Sequence, residues 1–239
     1  IEVLDDGGHK NRFFPPYKGV GLFPERIVCS MHNLKLLIIG NFHELKVLPD
    51  DLHCLSVLEE LHISRCDELE SFSMHALQGM ISLRVLTIDL CGKLISLSEG
   101  MGDLASLERL VIHGCSQLVL PSKMNKLTSL RQVNISHSGR NNRILQGLEV
   151  IPSLQNLTLS YCDHLPESLG AMTSLQRVEI ISCTNAKSLP NSFQNLINLH
   201  TLLIVGCSKL EKRCKKGTGE DWQKIAHVPE LELIAKKTY

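Results

Sequence analysis

The chain has 239 residues, balances 25 basic against 25 acidic side chains, and holds only 4% aromatic residues. Balanced charge leaves no long-range field to draw nucleic acid or an anionic membrane, and no apolar run reaches the roughly 18 residues of a membrane-spanning helix. Abundant leucine with few aromatics suits thin aliphatic layers better than one thick globular core.

Residues 1–33 follow no repeat. Pro15 and Pro16, with Gly7, Gly8, Gly19 and Gly21, mark loops. Leu22-Phe23 and Ile27-Val28-Cys29 are the candidate strands of an irregular or truncated first repeat, which would cover the open edge of a stack beginning at Leu34. The chain opens on Ile1 without a signal-peptide pattern, so it is expected to be part of a longer protein.

From Leu34 a period takes over. The stretch Leu107 to Leu118, LERLVIHGCSQL, reads L-x-x-L-x-I-x-x-C-x-x-L, and its aligned first leucines are Leu34, Leu58, Leu83, Leu107, Leu130, Leu154, Leu175 and Leu199. The steps of 24, 25, 24, 23, 24, 21 and 24 residues fall within the period of leucine-rich repeats. This predicts an α/β leucine-rich-repeat solenoid of eight repeats over residues 34–210. It should be a curved horseshoe with a parallel β-sheet on the concave face and an irregular, short-helical convex side. In L-x-x-L-x-I the second leucine and the isoleucine point inward and their neighbours outward, as a strand requires. The Leu-Pro pairs, as in Leu48-Pro49 and Leu189-Pro190, favour single-turn segments over long helices. The fifth repeat departs from the pattern, with Ser138 at the cysteine position and a polar run from Gly139 to Arg143 where a leucine is due.

Six of the nine cysteines share one repeat position: Cys66, Cys91, Cys115, Cys162, Cys183 and Cys207. Such regularity predicts buried structural thiols, each donating to a backbone carbonyl as the chain leaves the strand. A reducing compartment suits them. No close Cys/His pairing accompanies them, so no metal site is expected.

The outward strand positions are what a partner would meet. Glu60, His62, Val85, Thr87, Asp89, Arg109, Val111, His113, Gln132, Asn134, Asn156, Thr158, Arg177, Glu179 and Ile181 form the candidate concave binding surface. Asp89 and His113 occupy one position in adjacent repeats, which predicts an exposed ion pair. A Ser64–His113–Asp89 catalytic arrangement lacks burial and an oxyanion hole, and His62 with these two makes too loose a set for metal. Apolar Leu36 and Ile38 are expected to be covered by residues 1–33, and Leu203 and Val205 by the C-terminal cap.

That cap is residues 211–239. Thr218-Gly219-Glu220-Asp221 reads as a capping box opening a helix from Trp222 to His227, and Leu231 and Leu233 alternate like a last strand. Trp222 is expected to lie over the final apolar layer. The cluster Lys209, Lys212, Arg213, Lys215 and Lys216 reads as a solvated face, with no interleaved aromatics to suggest nucleic acid.

The tail makes a family resemblance specific. Cys207-Ser208-Lys209-Leu210-Glu211-Lys212-Arg213-Cys214 followed by Gly219-Glu220-Asp221-Trp222-Gln223-Lys224-Ile225-Ala226-His227-Val228-Pro229 resembles the end of plant nucleotide-binding leucine-rich-repeat disease-resistance proteins, coiled-coil class, with Arg213, Cys214 and Trp222 as cap residues. The resemblance covers about residues 34–239 and implies a cytoplasmic, non-catalytic recognition and autoinhibitory portion of an immune receptor. Expected partners are a pathogen effector or guarded host protein and the receptor's own nucleotide-binding domain. ADP or ATP would belong to that domain, since no G-x-x-x-x-G-K-[ST] loop occurs here. A monomeric chain without nucleic-acid binding or membrane insertion is expected. A generic intracellular adaptor, such as a ubiquitin-ligase substrate receptor, is the alternative. An extracellular ectodomain is disfavoured because cysteine stands where such plant repeats carry asparagine.

Overall fold

The computed structural model describes residues 2–4, 10–14, 31–137 and 143–235. Each repeat motif places five residues in a strand: β3 (Leu36–Gly40), β5 (Glu60–Ser64), β7 (Val85–Asp89), β8 (Arg109–His113), β9 (Gln132–Ser136), β10 (Asn156–Ser160), β11 (Arg177–Ile181) and β12 (Thr201–Val205). The second and fourth residues of each are buried, and the residues between them face outward. These strands stack in parallel with each residue opposite its repeat equivalent. Any outward side chain therefore has neighbours about 4.8 Å away at the same position of adjacent repeats.

The sheet is longer than the eight repeats alone would make it. It has eleven strands, because β2 (Lys10–Phe14) adds in parallel to β3, β1 (Glu2–Leu4) pairs antiparallel with β2, and β13 (Glu230–Ile234) adds in parallel to β12. Leu22-Phe23 and Ile27-Val28-Cys29, the expected N-terminal strands, lie outside the described residues, as do Ser138 and residues 139–142 of the polar run.

Opposite the sheet the chain makes single turns. The 3-10 helices are Asp50–Cys54, Glu99–Asp103, Met124–Lys126, Arg143–Gly147, Glu167–Ala171 and Asn191–Asn195. The two-residue strands β4 (Val47–Leu48) and β6 (Ser71–Phe72) form a small second sheet beside them. Pro49, Pro166 and Pro190 stand in extended backbone just before their turns, where a missing N–H costs nothing. The acid after two of these prolines ties one repeat to the next. Asp50 accepts from the Ser73 hydroxyl at 2.6 Å and the His75 N–H at 3.0 Å. Glu167 accepts from the Ser192 N–H at 2.9 Å and the Asn191 N–H at 3.0 Å. These donors hold both carboxyls below the usual carboxylate range.

The cysteine row lines the interior where each strand ends. All six thiols are free and buried, and each donates to the carbonyl two residues earlier, at 3.4 Å for Cys115 and Cys207 and up to 3.7 Å for Cys162. The sulfurs also accept: Cys183 Sγ takes the Cys162 N–H at 3.3 Å, and Cys207 Sγ takes the Cys183 N–H at 3.1 Å. Burial pushes the Cys115 thiol up to about 11, which keeps it a thiol at neutral pH. Cys66, in a hydrogen bond with the Cys91 thiol, shifts downward instead. Cys214 is likewise free and buried, whereas Cys54 is disulfide-bonded.

The cap differs from its sequence expectation in several ways. A six-residue helix, α1 (Ser208–Arg213), follows the last repeat directly, and its Glu211 carboxylate accepts the Cys207 N–H at 2.7 Å. The next helix, α2, is only Trp222–Ile225, and no capping box opens it, because the Asp221 side chain makes no cap hydrogen bond. Asp221 is fully buried and serves a different purpose. It accepts Arg213 Nε at 2.9 Å and Nη2 at 3.1 Å, meets Lys224 Nζ at 2.8 Å, and takes the Leu189 N–H at 2.9 Å. Lys224 also donates to the Leu189 carbonyl at 2.7 Å, so the cluster bolts the cap onto the turn of the preceding repeat. Burial alone would raise the Asp221 carboxyl, but the bonds from Arg213, Lys224 and Leu189 outweigh it and hold it below its ordinary value. Arg213 therefore belongs to this lock and to a pair with Glu220, not to a solvated basic face. Trp222 is half-buried and packs against the core, as do Leu231 and Leu233. β13 lengthens the sheet rather than covering it, which leaves Leu203 and Val205 half-exposed beside Glu232 and Ile234.

Candidate functional site

The expected surface residues fall in three registered rows across the sheet. Glu60, Val85, Arg109, Gln132, Asn156 and Arg177 form the first, and His62, Thr87, Val111, Asn134, Thr158 and Glu179 the second. Asp89, His113 and Ile181 belong to the third, with Ser64, Ser136 and Ser160. Several of these side chains are pre-positioned by one another. Arg177 Nε donates to Glu179 Oε1 at 2.8 Å, and Thr158 Oγ1 donates to Glu179 Oε2 at 3.0 Å. Gln132 Nε2 donates to Asn134 Oδ1 at 3.3 Å. His62 pairs with Glu60 at 3.2 Å and stays apart from His113. Arg109 is exposed.

A fourth row lies just past the strands, outside the alternation that marks them. The residue after each strand has positive φ: Asn41 (60°), Arg65 (51°), Leu90 (52°), Gly114 (66°), His137 (51°), Tyr161 (56°), Ser182 (53°) and Gly206 (64°). Each of these residues donates its N–H to the carbonyl ending the next strand, from 2.7 Å for Ser182 to 3.1 Å for His137. This interstrand bond fixes the turn in every repeat. The left-handed conformation costs a side-chain-bearing residue about 1 kcal/mol relative to glycine, yet only Gly114 and Gly206 avoid that cost.

Third and fourth rows meet in one connected chain across four repeats. His113 Nδ1 bonds Asp89, His113 Nε2 lies 3.1 Å from His137 Nδ1, and the His137 ring stacks on Tyr161 with centroids 4.1 Å apart. The two imidazoles meet edge-on at 5.0 Å and 68°. The Asp89–His113 pair is legible in the sequence as repeat neighbours, but its continuation through His137 and Tyr161 is not. The glycines at 114 and 206, standing just before the cysteine position, are the available sign of a left-handed row there. The same connection disposes of a serine triad, because His113 Nε2, the nitrogen a serine would need, is taken by His137. The carboxylate orients the first imidazole, which orients the second. The outcome is a rigid polar and aromatic ridge, with Tyr161 50% exposed. Among the described residues no group of three or more metal-type ligands converges, and no helix is long and apolar enough to cross a membrane.

A family model described as a leucine-rich repeat region matches residues 38–238. Disease resistance protein RGA2 of Solanum bulbocastanum is 32% identical over 263 aligned positions, covering 91% of this chain and 26% of that protein. TMV resistance protein N of Nicotiana glutinosa is 32% identical over 201, covering 80% of this chain and 15% of that protein. The chain thus spans about a quarter or less of the length of these curated relatives. Among solved structures, the leucine-rich repeat domain of the type III effector XopL superposes with a TM-score of 0.57 at 19% identity, covering 77% of this chain and 64% of that one, a likeness of fold.

Proposed function

Because this chain belongs to the leucine-rich repeat family and its relatives are plant disease resistance proteins, we propose that it is the non-catalytic recognition portion of an intracellular plant immune receptor. One observation carries the reading. The Asp89–His113–His137–Tyr161 ridge is ordered by hydrogen bonds and stacking while contributing nothing to the buried core. Ordered polar and aromatic groups on an exposed face lose little entropy on binding and suit a protein partner. The partner is a pathogen effector or a guarded host protein, met by the ridge and the rows through Arg109, Thr158 and Arg177. In the whole receptor the same region holds a neighbouring nucleotide-binding domain inactive, and the protein works in the cytoplasm. No cofactor and no catalytic step belong to this portion.

The test is a full-length receptor carrying Arg109→Ala, His113→Ala and Arg177→Ala together. Partner capture and the immune response should both be lost while protein level is unchanged. Full response from this variant refutes the recognition half. A receptor lacking residues 34–239 should signal without a pathogen; if it stays silent, the inhibitory half fails.

A further inference from the structure

The first half of the left-handed row lines an open groove of about 630 Å³, in which Arg65, Leu90 and Gly114 stand in successive repeats. The other ionisable side chains in its wall have partners. His43 Nδ1 meets Asp67 at 2.7 Å, and Lys93 Nζ meets Glu68 at 2.6 Å. Arg65 is the exception: it is exposed and makes no ion pair or side-chain hydrogen bond with any described residue. Its backbone, at φ 51°, would be relaxed by glycine, as the next repeat but one demonstrates at Gly114. The left-handed conformation is common to the whole row, so what distinguishes Arg65 is its unpartnered guanidinium facing an open groove. Space beside it is open, since a Cβ on Gly92 would meet nothing within 4 Å, and Leu90 offers a 39% exposed apolar wall.

We propose that this groove is a carboxylate-binding subsite of the recognition surface, taking an aspartate or glutamate side chain from a protein partner. Arg65 supplies the planar guanidinium fork that matches a carboxylate, and Leu90 contacts the aliphatic part of the bound residue. The proposal rests on the recognition reading and adds the chemistry of one anchor to it.

The test uses the whole 239-residue chain and short immobilised peptides made as twins, Asp against Asn and Glu against Gln. Acidic members should be retained about tenfold more strongly than their amide twins. Arg65→Ala should abolish that preference, and Arg65→Lys should keep part of it, since an ammonium retains charge without the fork. Arg65→Gly separates recognition from folding: the preference should vanish while the melting temperature holds or rises. Equal retention of the twins, a preference that survives Arg65→Ala, or a lower melting temperature in Arg65→Gly overturns the proposal. Equal retention, together with loss of receptor response in the Arg109, His113 and Arg177 variant, would refute the groove and leave the broader reading standing.

Discussion

Two aspartates in this chain each meet a basic side chain, and their surroundings give them opposite uses. Asp221 is fully buried, held by Arg213, Lys224 and the Leu189 N–H. Asp89 keeps 31% of its side chain exposed and meets a His113 whose ring is 37% exposed. A buried carboxylate without its partners would be an uncompensated charge, so the cap must be docked for Asp221 to be satisfied. An exposed one can turn to water at small cost. The same chemistry is thus a structural lock at the end of the solenoid and part of an exposed, ordered ridge in its middle. Burial decides which.

The contrast breaks most plainly at the cap. Asp221→Ala leaves Arg213 and Lys224 without their shared anion and the Leu189 N–H without its acceptor, at a cost of about 3 kcal/mol. For a chain of this size that lowers the melting temperature by about 6–12 °C, measurable by calorimetry. A loss under about 1 kcal/mol would mean the lock is not structural.

Acid sharpens the same point. The folded Asp221 carboxyl sits below its ordinary value of 3.8, so its contribution is complete above that value. It is lost as pH falls through the lower folded value, because the folded state must then take up a proton it resists. Asp50 and Glu167, also held low by bonds to the next repeat, act in the same direction. Acid titration of the Trp222 fluorescence should show the cap loosening below pH 3.8, with Asp221→Asn removing part of that dependence. Identical acid profiles for the two proteins would show that Asp221 contributes nothing to it.

How much of this the sequence disclosed depends on the range of the contacts. The strands, the inward leucines and the cysteine row are set by a period of about two dozen residues, and every copy repeats the message. Single-turn convex segments are legible from Pro49, Pro166 and Pro190 for the same reason. Asp221 is misread because Thr218-x-x-Asp221 fits a local capping pattern, while one of the partners that make it a lock, the Leu189 N–H, is 32 residues away. His137 and Tyr161 escape notice because they sit one residue past the alternation that marks a strand. Only backbone dihedrals reveal that this position projects a side chain wherever it is not glycine. The added strands β1 and β2 carry no repeat signature at all.

At the ridge the expected changes are smaller in stability and larger in binding. Asp89→Asn keeps an acceptor for His113 but removes the charge that orients it, so stability should change by about 1 kcal/mol or less. Partner binding, once a partner is in hand, should weaken about tenfold as His113 and His137 lose their fixed arrangement. A melting shift as large as that of Asp221→Ala would erase the distinction between the two aspartates.

The smallest effect on stability should be at Tyr161. Tyr161 holds φ at 56° and half of its side chain lies in solvent, so its backbone is strained for little burial in return. Tyr161→Gly relaxes the turn, as Gly114 and Gly206 already do in their repeats, but also removes the stack on His137 and frees the unfolded chain. Relief of about 1 kcal/mol from the backbone is offset by a stacking loss of about 0.5–1 kcal/mol and by the greater freedom of the unfolded chain, so stability should change by less than about 1 kcal/mol. Binding should fall, because the exposed aromatic face is gone. A clear loss of stability would show that Tyr161 is held for the fold, and the ridge would then be a buttress rather than a surface kept for a partner.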